Sequence, residues 1–254
     1  MLETGLIVVP ARGGSKRLPG KNLRRLGDKT LLEWTAHWVD QSSLGLPVLL
    51  TTDDAAIAAE GRRLGWNVPF ERPADLAKDD TTTVSTVLHA LDWQKSHHGA
   101  DPDFIVLLQV TSPLRGSACL QQGVSLLKST PDADAVVGVT RLAHGLRAIY
   151  QKADHGFLGP ISNVKSHGVQ DAFVPNGAFY AIRTEILRTE ETFFPKRTVP
   201  LVMTDDCSVD IDTPYDWRVA EALLCSAEEG YYEDEEAGEE EVPVTDEDDE
   251  FGDE

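Results

Sequence analysis

Short apolar runs alternate with helix-length amphipathic stretches through most of the chain, and this rhythm constrains the fold more than any other feature. Five runs read as strands: Gly5–Pro10 (GLIVVP), Pro47–Thr52 (PVLLTT), Asp103–Val110 (DFIVLLQV), Ala133–Thr140 (ADAVVGVT) and Gly177–Ile182 (GAFYAI). Between and after them lie helical patterns at Leu31–Ser42, Asp54–Gly65, Thr81–His98, Ser117–Ser129 and Pro214–Ala227. The last carries Pro at its first position after a Thr able to cap it. Such alternation predicts an α/β fold with a mostly parallel sheet covered by helices. A chain of 254 residues is long enough for one sizeable core of this kind.

Two stretches fall outside the rhythm. From Arg141 to Asp171 there is no clean period of either type, which predicts an inserted arm or lid within a domain spanning residues 1–227. From Glu228 to Glu254 the chain carries 16 acidic and no basic residues, too polar to order itself, and reads as a disordered solubilising tail. The formal net charge of -20 is therefore concentrated there, leaving about -4 on the body. A nearly balanced body argues against nucleic-acid binding.

Cys119, Cys207 and Cys225 are far apart and lack a CxxC pair, so neither a disulfide framework nor a zinc site is expected. The seven histidines show no metal-ligand spacing, and no nucleophile elbow is present. The first apolar run is too short for a signal peptide and nothing approaches a membrane span. A soluble, reducing, cytoplasmic setting is the expectation.

Against this acidic background one segment stands out. Between Ala11 and Arg25 lie six basic residues (Arg12, Lys16, Arg17, Lys21, Arg24, Arg25) and no acidic one, directly after the first strand. Ligands of open α/β sheets bind where strands end. A loop there with Gly13, Gly14 and Ser15 among its cations offers backbone N–H groups and charge to a polyphosphate, a triphosphate above all. It is neither a Walker A loop, since Lys21 precedes Asn22 rather than Ser or Thr, nor a GxGxxG turn.

A second constellation is CSVDIDTPYDW, in which Asp210 and Asp212 flank Ile211. On a strand, residues two apart share a face, so both carboxylates could reach one divalent cation of the magnesium type. A cationic phosphate loop and a metal site are what nucleotidyl transfer needs. Three further stretches mark the ends of other elements: ERPADLAKDDTTT, with Arg72; LLQVTSPLRG, with Gln109, Thr111, Ser112 and Arg115; and VPNGAFYAI, with Asn176 and Gly177.

Taken together, PARGGSKRLPGKN, RPADLAKDDTTT, LLQVTSPLR, NGAFYAI and VDIDTPYDW resemble, in order, the motifs of the cytidylyltransferases that activate nine-carbon acidic sugars: the CMP-N-acetylneuraminate synthetases and their legionaminate and pseudaminate relatives. The resemblance spans about residues 5–225. It implies a Rossmann-like, three-layer nucleotidyltransferase fold of the GT-A type, a homodimer, CTP as donor, and Mg²⁺ (or Mn²⁺) as cofactor. By matching positions, Arg12 and Lys21 hold the triphosphate, Ala11, Gly13, Gly14 and Ser15 lie along it, Asn22 lies beside the nucleotide, and Arg72 and Thr83 lie near the cytidine. Gln109, Thr111, Ser112, Arg115, Gln170, Asn176 and Gly177 fall on the sugar side, and Asp210 and Asp212 match the metal-binding aspartates. Arg12, Lys21 and Asp212 form the catalytic set. The irregular Arg141–Asp171 stretch coincides with the family's dimerisation arm. The Arg-containing RxQxLP segment of many sialic acid members is absent here, where KSHGVQDAFVPNGA stands, so either another cation, such as Lys165 or Arg147, holds the acceptor's carboxylate or the sugar differs from N-acetylneuraminate.

The expected reaction is CTP plus a 2-keto-3-deoxy nine-carbon acidic sugar giving the CMP-sugar and pyrophosphate. The nearest alternative acceptor is the eight-carbon acid 3-deoxy-octulosonate, whose enzymes usually carry a first loop closer to PARYGSTRLPGKPL. Gly14 and Asn22 argue against it. An alternative of another class is a non-catalytic nucleotide-binding or assembly protein, against which the intact aspartate pair speaks.

Overall fold

A computed structural model describes residues 4–142, 150–152, 158–160 and 172–228. Its centre is a six-stranded sheet of β1 (Gly5–Pro10), β4 (Val48–Thr51), β5 (Phe104–Leu107), β6 (Ala135–Arg141), β9 (Phe173–Arg183) and β10 (Thr198–Val202), in the order β10-β6-β9-β5-β1-β4. All neighbours are parallel except β9, which runs antiparallel between β5 and β6. Two small antiparallel pairs lie outside it, β2 (Arg25–Leu26) with β3 (Lys29–Thr30) and β7 (Tyr150–Lys152) with β8 (Leu158–Pro160).

The helices are α1 (Leu31–Gln41), α2 (Ala55–Arg63), α3 (Thr83–His98), α4 (Ser117–Ser129), α5 (Thr184–Glu190) and α6 (Pro214–Glu228). The period-two alternation of the strands decides which helices cover which face. Ile7, Val9, Val106, Phe179 and Ala181 pack with Leu31, Ile57, Leu120 and Trp217 from α1, α2, α4 and α6. Their neighbours Leu6, Val8, Leu49, Ile105 and Ile182 pack with Val87 and Leu91 of α3 and Leu187 of α5. Two cores on opposite faces of one sheet make the expected three-layer α/β sandwich. Among the described residues no helix is long and apolar enough to cross a membrane.

Local chemistry fixes the helix starts near the carboxyl ends of the strands. Thr30 and Glu33 form a reciprocal capping box at α1, Asp54 accepts from Ala56 and Ile57 at α2, and Thr82 accepts from Ser85 at α3. Each such cap stabilises its helix by about 1 kcal/mol.

Several boundaries differ from the sequence expectation. β9 begins four residues earlier than Gly177, because its first half pairs only with β6, through Val139↔Pro175, Thr140↔Val174 and Arg141↔Phe173. Leu142 N then donates to Ala172 O at 2.8 Å, so the intervening chain leaves and re-enters on adjacent rungs. The stretch expected to lack strand character holds β7 and β8, and its remaining residues from 143 to 171 lie outside the described residues, as do 229–254 of the expected tail. The pair Asp210 and Asp212 is not on a strand: it follows a 3₁₀ turn (Asp206–Ser208) in an irregular segment leading to α6.

Candidate active site

The carboxyl ends of β1 and β5 open onto a cleft of about 550 Å³. One wall is the basic loop after β1. Ala11 N donates to Thr51 O at 3.0 Å, and Gly13 N donates to Asp53 Oδ1 at 3.0 Å, so the loop starts pinned to the neighbouring strand end. Gly20 takes a left-handed conformation (φ 67°), which lets the chain reverse into a 3₁₀ turn (Lys21–Leu23) that aims Lys21 back across the cleft. Buried Asn22 ties that turn down by donating to Arg12 O at 2.9 Å.

At the far end of this loop the two sequence constellations meet. Lys21 Nζ lies 2.9 Å from both Ile211 O and Asp212 Oδ1, and Arg17 Nη2 lies 2.7 Å from Asp212 Oδ2. Partial burial alone would raise the Asp212 carboxyl, but the bonds and charges of Lys21 and Arg17 hold it below the usual carboxylate range. Its partner is shifted the other way. Asp210 is open to solvent yet crowded by protein, and that desolvation, with the charges of Asp212 and Asp216, raises its pKa against a hydrogen bond from Thr111.

Ile211 explains how two aspartates act together without a strand. Its side chain is fully buried in the core, and its N–H donates to Thr111 O at 2.8 Å. Val209, two residues before it, has an extended backbone, Asp210 is exposed, and Asp212 lines the cleft. Asp216, on the first turn of α6, completes the frame: its Oδ2 accepts from Asp212 N (3.0 Å), Thr213 N (2.7 Å) and Thr213 Oγ1 (2.9 Å).

A second acidic contact closes the opposite end. Arg12 donates to Lys78 O at 3.1 Å and pairs with Asp79 at 3.0 Å, and Lys16 also pairs with Asp79. Four cations of the basic loop are therefore held by two aspartates, one on each side. Arg72 is buried below, bonded to the carbonyl and hydroxyl of Thr51, and burial lowers its pKa to about 10. Thr83, Thr81 and Thr86 line the cleft beside it.

The remaining wall comes from the turn after β5. Gln109 and Thr111 line the cleft. Gly177, at φ 76°, packs so closely that a Cβ there would lie 2.8 Å from Gln109 Oε1 and 3.4 Å from both Asp210 Oδ2 and Ser112 Oγ. Only glycine suits that conformation and that approach.

Of the residues singled out in the sequence, the cleft brings together Ala11, Arg12, Ser15, Lys21, Asn22, Arg72, Thr83, Gln109, Thr111 and Asp212. Gly177 and Asp210 meet Gln109 at its edge. Others are placed differently. The amide of Gly13 is committed to Asp53, and a Cβ there would lie 2.6 Å from Asp54 Oδ2, so its smallness serves the packing of the loop rather than an open phosphate contact. Gly14 is in open space. Ser112 and Arg115 are buried behind the wall, and Asn176 is a buried brace that accepts from Ala178 N and donates to Ser208 Oγ. Gln170, Lys165 and Arg147 lie outside the described residues.

Sequence reasoning passed over Asp79 and Asp216, and counted Lys16 and Arg17 among the cations without assigning them. The signal for Asp79 was its place in LAKDDTTT, an acidic pair in a loop expected to face the basic one.

The donor chemistry can be tested against a divalent cation. Among the described residues no group of three or more protein ligands exists. Two carboxylates on one side of an open cleft still fit Mg²⁺, which commonly takes one or two carboxylates and completes its shell with water and phosphate oxygens. The pKa of Asp210 is raised first by desolvation and then by the neighbouring charges of Asp212 and Asp216, and a cation placed there would offset both.

Comparison with known proteins identifies the family. The chain is 32% identical over 229 residues to the CMP-N,N'-diacetyllegionaminic acid synthase of Legionella pneumophila, covering 86% of this chain and 95% of that protein. It is 32% identical over 219 residues to the N-acylneuraminate cytidylyltransferase of Escherichia coli, covering 85% of this chain and about half (51%) of that larger protein. The fold matches that of CMP:2-keto-3-deoxy-manno-octonic acid synthetase complexed with CTP, with a TM-score of 0.65, 17% identity, and coverage of 89% of this chain and 100% of that one. The family profile described as cytidylyltransferase matches residues 6–155, which include the basic loop, the Asp79 segment and the Gln109–Arg115 turn. With the cleft built from those same segments, the chain belongs to the cytidylyltransferase family.

Proposed function

We propose that this chain transfers CMP from CTP to a nine-carbon 2-keto-3-deoxy acidic sugar of the sialic acid type, releasing pyrophosphate. The observation that carries the reading is the junction of Lys21 and Arg17 with Asp212, which joins the basic loop to one member of the aspartate pair in a single cleft. The names of the Legionella and E. coli relatives support the acceptor class.

In this reading the anomeric hydroxyl of the sugar forms the new bond to the α-phosphorus as the bond to pyrophosphate breaks in line, and the hydroxyl proton passes to solvent. Arg12 and Lys21 offset charge on the departing pyrophosphate. Asp210 and Asp212 would hold Mg²⁺, which would supply charge neutralisation at the reacting centre. The aspartates that hold the cations in the free cleft suit an exchange of partners. Lys21 and Arg17 would turn from Asp212 to the triphosphate, which would leave the Asp212 carboxylate available to a divalent cation.

The chain is further proposed to act as a cytoplasmic homodimer. Support for the dimer comes from the exposed Phe173 and Val174 at the start of β9, beside the expected arm. Sedimentation of the purified protein tests it.

The function is tested by pyrophosphate release across a panel of eight- and nine-carbon sugar acids with CTP, ATP, GTP and UTP. Turnover with CTP and a nine-carbon acid supports the reading, and preference for the eight-carbon acid replaces the acceptor. No release with any pair favours the non-catalytic alternative.

A further inference from the structure

The largest fully buried side chain of the described residues is a charged one, Arg115, only 1% exposed. Its guanidinium forms no ion pair with any described residue: Nε donates to Ser112 O at 2.9 Å, Nη1 to Ala178 O at 2.6 Å, and Nη2 to Gln109 O. Burial lowers its pKa to about 10, with the charge of Asp210 among the influences opposing the shift. The residue also directly precedes Gly116, the cap of α4, and so stands at the positive end of that helix's dipole.

Stability alone does not account for a cation in this place. Burying a charge without a counter-charge is costly, and the helix end adds to the cost. The three carbonyls it satisfies belong to two separate structures. Gln109 and Ser112 are on the turn after β5, and Ala178 follows Gly177 on β9. Those structures close against each other at Gln109 Oε1, Gly177 and Asp210, the cleft edge opposite Asp79. The turn is held from its other side as well, where Trp38 Nε1 donates to Pro113 O at 2.6 Å.

We propose that Arg115 is a positioning residue for the acceptor wall: its planar fork spans the turn and β9 and thereby sets where Gln109 presents itself to the sugar acid. None of the three carbonyls belongs to the basic loop, which is reached from the turn through Ile211, whose N–H donates to Thr111 O and whose carbonyl accepts from Lys21, so the donor half of the cleft is braced less directly than the acceptor wall. A lysine preserves the charge but cannot span three carbonyls in one plane. The inference rests on the proposed function for its kinetic test and has a second test that does not.

The experiment compares wild type with Arg115→Lys and Arg115→Met, by steady-state kinetics and by amide hydrogen exchange followed by mass spectrometry. In Arg115→Lys, kcat/KM for the sugar acid is expected to fall about 10²-fold, as misplaced positioning groups cause, while KM for CTP stays within about threefold. Exchange should accelerate in 107–112 and 175–180 and stay unchanged in 11–24. Equal changes in both KM values, or exchange raised evenly over the chain, would overturn the proposal and leave Arg115 a general stabiliser. If Arg115→Met fails to fold, the Lys variant decides. If wild type transfers CMP to no sugar acid, the functional reading fails, and the exchange pattern still decides the role of Arg115.

Discussion

Lys21 Nζ and Asp212 Oδ1 lie 2.9 Å apart although 191 positions separate them in the chain. The ion pair ties the turn after the first strand to the segment before the last helix, and both groups are committed to chemistry that neither performs alone. Losing Asp212 therefore removes the partner of Lys21 and Arg17 and, on the proposed function, one of the two carboxylates that would hold the cation. Asp212→Ala is expected to lower CMP transfer by about 10²-fold or more while the far-UV circular dichroism stays that of wild type. Near-normal turnover at saturating Mg²⁺ would remove Asp212 from the catalytic set.

Asp79 occupies the cations at the other end of the cleft, so it competes with the triphosphate for Arg12 and Lys16. Asp79→Asn should bind CTP more tightly. The gain is expected to be no more than about fivefold, because exposed ion pairs are weak, and to shrink as salt is added. Calorimetric titration with CTP at two ionic strengths measures it. Weaker binding would mean that Asp79 orients the arginine rather than competing for it.

Asp210 carries a pKa raised by burial and by its acidic neighbours, with a definite sign for stability. Between the ordinary carboxylate value and the raised one, the folded chain holds more protons than the unfolded chain, so stability falls as pH rises through that window. At neutral pH in the absence of metal, Asp210→Asn should therefore melt at a higher temperature than wild type and yet lose activity. The difference in melting temperature should close as pH is lowered below the ordinary carboxylate range. A variant that melts lower at pH 7 would contradict the assigned crowding.

Gly177 combines a positive φ with close packing against Gln109. Gly177→Ala should cost of order 1–3 kcal/mol in stability and displace the Gln109 side chain. Denaturant unfolding gives the first quantity, and KM for the sugar acid, expected to rise more than KM for CTP, reports the second.

Much of the frame was legible because it rests on periodicity. β1 and α4 have the bounds that the apolar pattern predicts, and the other long helices differ at their ends by two residues or fewer. What escaped was structure whose signal is tertiary. β10 contains Pro200 and is only partly buried because it lies at the sheet edge, where proline is tolerated. The first residues of β9 are exposed, and they are strand only because β6 extends alongside them. α5 is seven residues long, too short to show a helical period. In the site, the pairing of loop and aspartates was legible from charge and order. The burial of Arg115 was not, since nothing in a sequence marks an arginine whose partners are carbonyl oxygens.

The stretch between β6 and β9 leaves the sheet at Arg141 and returns at Phe173, its paired neighbour. A loop anchored on adjacent rungs can be lengthened, shortened or exchanged for another at small entropic cost. Insertions or deletions between these two anchor points are therefore expected to leave the register of β6 against β9 as it is.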